Sequence, residues 1–162
     1  MKSPINPVTF GVGLVAVVAA IAGVFYIQRG AHVELKGSIL KVRTQAMDES
    51  SSVMVVDFRF VNTSDYPFVV RQVDVAIEDA AGQRIEGKVV SEVDARRLFE
   101  FYPLLGQKFN ETLRMRDKAP ARQSMDRMVS ARFEIAEGKL ATRRKLIVRI
   151  EDVDGPVSEL VQ

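Results

Sequence analysis

The sequence predicts an all-β domain, a seven-stranded antiparallel sandwich, carried behind one N-terminal transmembrane helix and interrupted by one short helical insertion. Three observations lead there. Apolar and polar residues alternate with period two through most of the chain after residue 32. A run of 20 residues, Val8 to Ile27, carries no charge. One segment after Ser91 changes to helical spacing.

The uncharged run comes first. At 1.5 Å per residue its length matches the roughly 30 Å hydrocarbon core of a bilayer. A buried helix of a water-surrounded domain would show a polar face, and this run offers only Thr9. Ala20-Ile21-Ala22 before Gly23 has the small-x-small form of a signal-peptidase site. Cleavage there would leave Gly23 to Ile27 as an apolar new terminus, whereas Tyr26, Gln28 and Arg29 read as an interfacial flank. The expectation is an uncleaved anchor over residues 1–28 and a β-sandwich domain over 29–162, joined through residues 29 to 32. Ala16, Ala20 and Gly23 put small residues on one face of the helix, which permits close packing. Arg29, Lys36 and Lys41 outnumber Lys2 across the span, which would hold the domain in the cytoplasm, but that rule weakens for long flanking domains. The chain has no cysteine and so relies on no disulfide.

The strands follow in order. Val33, Leu35 and Ile39 mark the first, with Gly37 as a bulge. Met54, Val56, Phe58 and Phe60 line one face of the second, with Asp57 and Arg59 on the other. Val73, Val75 and Ile77 line the third, and Asp79-Ala80-Ala81-Gly82 turns it into a fourth over Ile85 to Val90. Phe109, Leu113 and Met115 predict a fifth, Met125 to Ile135 a long sixth, and Leu146, Val148 and Ile150 a seventh that Asp154-Gly155-Pro156 stops. Between the fourth and fifth, Ser91-Glu92-Val93-Asp94 has the form of a capping box. Ala95, Leu98, Phe101, Tyr102 and Leu105 then recur at helical spacing until Pro103 interrupts, giving an insertion over about 91–105.

The stretch FRFVNTSDYPFVVRQVDVAIEDAAGQRIEG, from Phe58 to Gly87, joins two strands through Asn62 to Pro67. Asn62 and Asp65 there can bond local backbone groups, and Pro67 holds Tyr66 extended. This strand, Asn-bearing corner, strand and hairpin resemble late-embryogenesis-abundant group two domains of the water-stress and hypersensitive-response type. They are also similar to membrane-anchored bacterial immunoglobulin-like domains, in which a proline turn such as Ala119 to Gln123 precedes a strand ending in an aromatic such as Phe133. The resemblance covers about residues 33–152, and its corner departs from the commoner Asn-Pro by having Thr63 after Asn62. It implies an immunoglobulin- or fibronectin-like sandwich, tethered by an N-terminal helix and extracytoplasmic (periplasmic in a bacterium). It implies no catalytic residue.

The side-chain inventory points away from chemistry. His32 is the one histidine, five residues beyond the uncharged run, which leaves the domain without a histidine base and without His or Cys ligands for zinc. Glu151-Asp152-Val153-Asp154-Gly155 is acidic, but Ile150 and Val161 occupy the first and twelfth positions that a calcium loop needs for ligands. Lys and Arg (23) nearly balance Asp and Glu (21), a mixed surface unlike a nucleic-acid footprint. No enzyme activity, cofactor or metal is expected. The expected function is a membrane-tethered, non-catalytic binding or scaffold module, an accessory subunit of a membrane assembly, with the lipid bilayer and a protein as partners. The alternative is a stress-protective sandwich that takes an apolar ligand such as lipid. The candidate contact residues are Arg96, Arg97, Phe99 and Leu104, because one helical stripe buries Leu98, Phe101, Tyr102 and Leu105 and leaves Phe99 and Leu104 outward beside two arginines. The competing role for these apolar groups is a plug over the end of the sandwich.

Overall fold

The computed structural model describes residues 7–28 and 35–162. The chain divides into two units, Met1–His32 and Val33–Gln162. Lys2, the expected connection at 29–32 with His32, and Val33 of the first expected strand lie outside the described residues.

Helix α1 runs Pro7–Gln28, 22 residues with neither an acidic first turn nor a basic last turn. Its side chains are described only at Gly11 and from Gly13 to Gly23, and Leu14, Val15, Val17, Val18 and Ile21 are each more than half exposed. Among the described residues no helix is long and apolar enough to cross a membrane. The transmembrane segment expected from the sequence is therefore not supported by the structure.

The second unit is a mostly antiparallel sheet of eight strands that nearly closes into a barrel. Its strands are β1 (Leu35–Ala46), β2 (Ser52–Asn62), β3 (Phe68–Glu78), β4 (Arg84–Val89), β5 (Lys118–Ala119), β6 (Ser124–Phe133), β7 (Lys145–Asp152) and β8 (Val157–Val161). Helix α2 (Glu92–Phe101) follows β4, and the five-residue α3 (Glu137–Ala141) follows β6. The order across the sheet is β1-β2-β6-β4-β3-β7-β8, with β5 on β3. β1 comes back toward β8, where the Leu35 backbone N–H donates to Ser158 Oγ at 2.8 Å.

The core forms where β1-β2-β6 and β3-β7-β8 face each other. Met54, Val56, Phe58 and Phe60 of β2 and Val129, Ala131 and Phe133 of β6 pack with Val73, Val75 and Ile77 of β3 and Leu146, Val148 and Ile150 of β7. The period-two reading of β2, β3, β6 and β7 is the observed register: Phe58 is fully buried, while Arg59 lies across from Asp126 in an exposed pair of 2.6 and 2.7 Å bonds. Asn62, also fully buried, sets the β2–β3 corner. Its Nδ2 donates to the Tyr66 and Ala119 carbonyls, and its Oδ1 accepts from the Ser64 N–H and hydroxyl. Asp65 pairs instead with Arg122 at 2.9 Å.

Four sequence expectations need correction. The bulge in β1 falls between Ile39 and Lys41, not at Gly37. Gly37 is there because a Cβ would collide with the Arg59 carbonyl of the neighbouring strand. The fifth strand predicted from Phe109, Leu113 and Met115 does not form. Only Leu113 is buried, and that segment contacts β6 through a single parallel bridge, Thr112 to Met128. β7 does not end the sheet, because Asp152 to Pro156 is a tight turn into β8 with Gly155 at φ +98°. Asp152 shapes that turn from inside, its Oδ2 accepting from the Val69 N–H and its Oδ1 from the Asp154 N–H. α3 was not expected. It contributes Leu140, fully buried, to the core.

β4 joins the two halves. Its first residues pair with β3, ending at Val75–Gly87, and its last, Lys88 and Val89, pair with β6. A Cβ on Gly87 would lie 2.6 Å from Phe133 Cζ and 3.0 Å from the Ala131 Cβ. Phe133 is fully buried and has no room to withdraw. Gly87→Val is therefore expected to cost about 1–3 kcal/mol of unfolding free energy, read as a lower urea midpoint with an unchanged slope.

Candidate interaction surface

The helical insertion is built as its sequence requires. Ser91 is the N-cap of α2. Its Oγ accepts from the Asp94 N–H at 3.2 Å and donates to the Asp94 carboxylate at 2.8 Å, and Glu92 and Asp94 place negative charge in the first turn. Pro103 ends α2 and starts a 3-10 turn, Pro103–Leu105. The insertion covers the outer face of the sheet, where Val53 and Val55 of β2 and Met128 of β6 are fully buried with Ala95 and Leu105. β2 is thus buried on both faces over its first half, as its unbroken apolar run Val53–Val56 allows.

A polar strut passes through this contact. Arg43 of β1 donates from Nη1 to the Leu105 and Gln107 carbonyls, both at 2.7 Å, and from Nη2 to Asp57 Oδ2 at 2.7 Å. Asn110 Nδ2 donates to the other Asp57 oxygen at 2.8 Å. The Arg43 guanidinium also lies 5.1 Å from the Phe99 ring and 5.2 Å from the Phe109 ring, and Lys41 stands 4.8 Å from Phe109 on the same strand. The Arg43 and Asp57 side chains are 9% and 3% exposed. Asp57 does face away from the main core, but it is covered by the insertion and not by water.

Of the four expected contact residues, three lie where the sequence places them. Arg96 and Arg97 are exposed and turned toward their own helix, 3.7 Å from Glu92 and 3.6 Å from Asp94. Leu104 is 86% exposed. Phe99 is the correction: it packs partly buried against Val53, Val55 and Met128, under Arg43. Phe101, expected in the buried stripe, is 76% exposed. Both phenylalanines lie inside α2, whose covered side is the i, i+3, i+4, i+7 set Ala95, Leu98, Phe99 and the C-cap Tyr102, so Phe101 is rotated outward, and the turn at Pro103 carries Leu105 inward. The exposed apolar side chains of this region are Val93, Phe101, Leu104 and Phe109. Among the described residues no group of three or more His, Cys, Asp or Glu side chains could hold a metal ion.

No family model and no curated protein matches the chain. A solved structure described as "Structure of Iho670 Flagellar-like Filament" is similar over 96% of this chain and 96% of that one, at 12% identity and a TM-score of 0.37. That score is too low to establish a shared fold.

Removing one partner of the Arg43–Asp57 pair leaves a buried charge uncompensated. Asp57→Ala is expected to cost about 3–5 kcal/mol in urea unfolding, because the Arg43 charge stays buried without its partner. A loss near zero in that variant would mean that the strut does not hold the insertion.

Proposed function

We propose that this protein is a membrane-tethered, non-catalytic binding module whose α2 insertion presents Phe101 and Leu104 to a protein partner. The observation that carries the reading is that pair of large apolar side chains, 76% and 86% exposed on a segment the Arg43 strut ties to the sheet. An exposed apolar pair on a fixed scaffold suits a protein interface, since little ordering is needed on binding. In this reading α1 crosses the bilayer. Support comes from its 22 helical residues and from the absence of charge between Val8 and Ile27. In this reading the β domain is immunoglobulin-like; support comes from the order β1-β2-β6-β4-β3-β7-β8, whose two parts, β1-β2-β6-β4 and β3-β7-β8, run as the two sheets of a constant-type sandwich run. The extracytoplasmic side follows from the family resemblance. A second reading, a sandwich that accepts an apolar ligand, is favoured by a cavity beside Leu113.

Two measurements test the first reading. After a carbonate wash the chain is expected in the membrane pellet, with an intact mass that still includes residues 1–27. A product beginning at Gly23 and released into the wash would end it. Phe101→Ser with Leu104→Ser is expected to abolish recovery of a stoichiometric partner from mild detergent, at an unchanged Tm. A large fall in Tm would instead make these side chains part of the packing.

A further inference from the structure

One end of the β domain gathers the start of β1, the Asn62–Phe68 corner, the segment before β5, the β5–β6 turn and the β7–β8 turn. Hydrogen bonds join them: Leu35 to Ser158, Asn62 to Gln123 and Ala119, Val153 to Val69, and Arg116 to Val70. Asn62 holds the corner from within, bonding the Tyr66 carbonyl, yet the Tyr66 side chain is 73% exposed. Met115 and Val153, on either side of the start of β3, are exposed as well. Most charges here are matched: Asp65 with Arg122, Arg71 with Glu151, and Asp117 with Arg114. Asp152 is buried in its turn. Among the described residues, Lys36, Arg116 and Lys118 are exposed without an ion pair, against one such carboxylate, Asp154.

Chain length distinguishes this end from the other. Residues 29 to 34 separate Gln28 from Leu35, a stretch that reaches at most about 25 Å. The 12 residues of β1 put Ala46 roughly 35 Å from Leu35. With α1 across a bilayer and Gln28 at its surface, a domain standing on its Ala46 end would lift Leu35 beyond that reach. A domain standing on its Leu35 end would not. We infer that the Leu35 end rests on the bilayer that holds α1, with Tyr66, Met115 and Val153 at headgroup level and Lys36, Arg116 and Lys118 on the phosphates of anionic phospholipid. A tyrosine ring with its hydroxyl suits that zone, and unpaired cations gain there what paired ones do not. The inference rests on the first reading above and says how the domain is presented. The α2 insertion packs on Val53 and Val55, which pair with Gln45 and Arg43 toward the far end of β1, so Phe101 and Leu104 stay clear for a protein.

The chain has no tryptophan, so a single introduced one reports alone. The test uses full-length Tyr66→Trp and Phe101→Trp proteins in vesicles of phosphatidylcholine and phosphatidylglycerol, quenched by lipids brominated near the headgroup. Quenching of the Tyr66→Trp protein is expected to be at least about threefold that of the Phe101→Trp protein. Adding Lys36→Glu, Arg116→Glu and Lys118→Glu to Tyr66→Trp is expected to reduce its quenching about twofold or more, at an unchanged Tm because all three positions are exposed. Vesicles of phosphatidylcholine alone are expected to give the same reduction without those substitutions. Equal quenching at both positions, or none at either, in a chain that a carbonate wash leaves in the membrane would overturn this inference and leave the anchor in place. Release by carbonate would overturn the first reading and this inference with it. Quenching indifferent both to the charge reversals and to phosphatidylglycerol would overturn the phosphate contacts.

Discussion

The domain depends on one strand being shared. β3-β7-β8 and β1-β2-β6 each present a row of apolar side chains, and each would leave free edges if it stood alone. β4 is bonded to β3 through Gly87 and to β6 from Lys88 onward, so six residues carry the hydrogen bonding from one half to the other. The crossing brings its backbone against the Phe133 ring, and glycine is what the space there admits. The cost of the switch is the opening it leaves beside β3, which the 111–117 segment crosses by bonding first to Met128 and then to Val70.

The two open flanks are treated alike. Near β3, Leu113 is driven into the core from a segment without strand geometry of its own, and after β6, Leu140 is driven in from a single helical turn. Each fills apolar space that paired backbone does not, which is why neither needs the flanking residues to alternate. The difference is completeness. Beside Leu113 a cavity remains, and its lining combines the core residues Val73 and Leu113 with an internally matched ion pair.

On the outer face the same logic operates with polar groups. The α2 insertion covers Val53, Val55 and Met128, but its chain turns at Pro103, and the carbonyls that emerge there need donors. Arg43 supplies them for Leu105 and Gln107, and Asp57 balances its charge under the same cover. A buried charge pair of this kind adds little net stability over an apolar pair but penalises any arrangement that separates it, so it favours one seating of the insertion. That single seating is what leaves Phe101 and Leu104 outward.

Much of this was determined by local chemistry and could be read from the chain. The alternation in β2, β3, β6 and β7 sets which residues meet in the core. Gly82 with the Asp79 side chain sets the hairpin, and Ser91 with Asp94 sets the start of α2. The helical, uncharged character of Val8 to Ile27 belongs here too. Tertiary structure decided whatever depends on a distant partner. Gly37 reads as a bulge because the group that excludes a side chain there, the Arg59 carbonyl on β2, is 22 positions away, and Asp57 reads as facing away from the core because nothing nearby foretells a cover from residues 95–110. Phe99 and Phe101 exchange places because Ala95, Leu98, Phe99 and Tyr102 make as regular a helical stripe as the one through Phe101, and the sheet face beneath, with the Arg43 guanidinium over the Phe99 ring, selects between them. Periodicity says which side chains share a face; only packing says what lies against it.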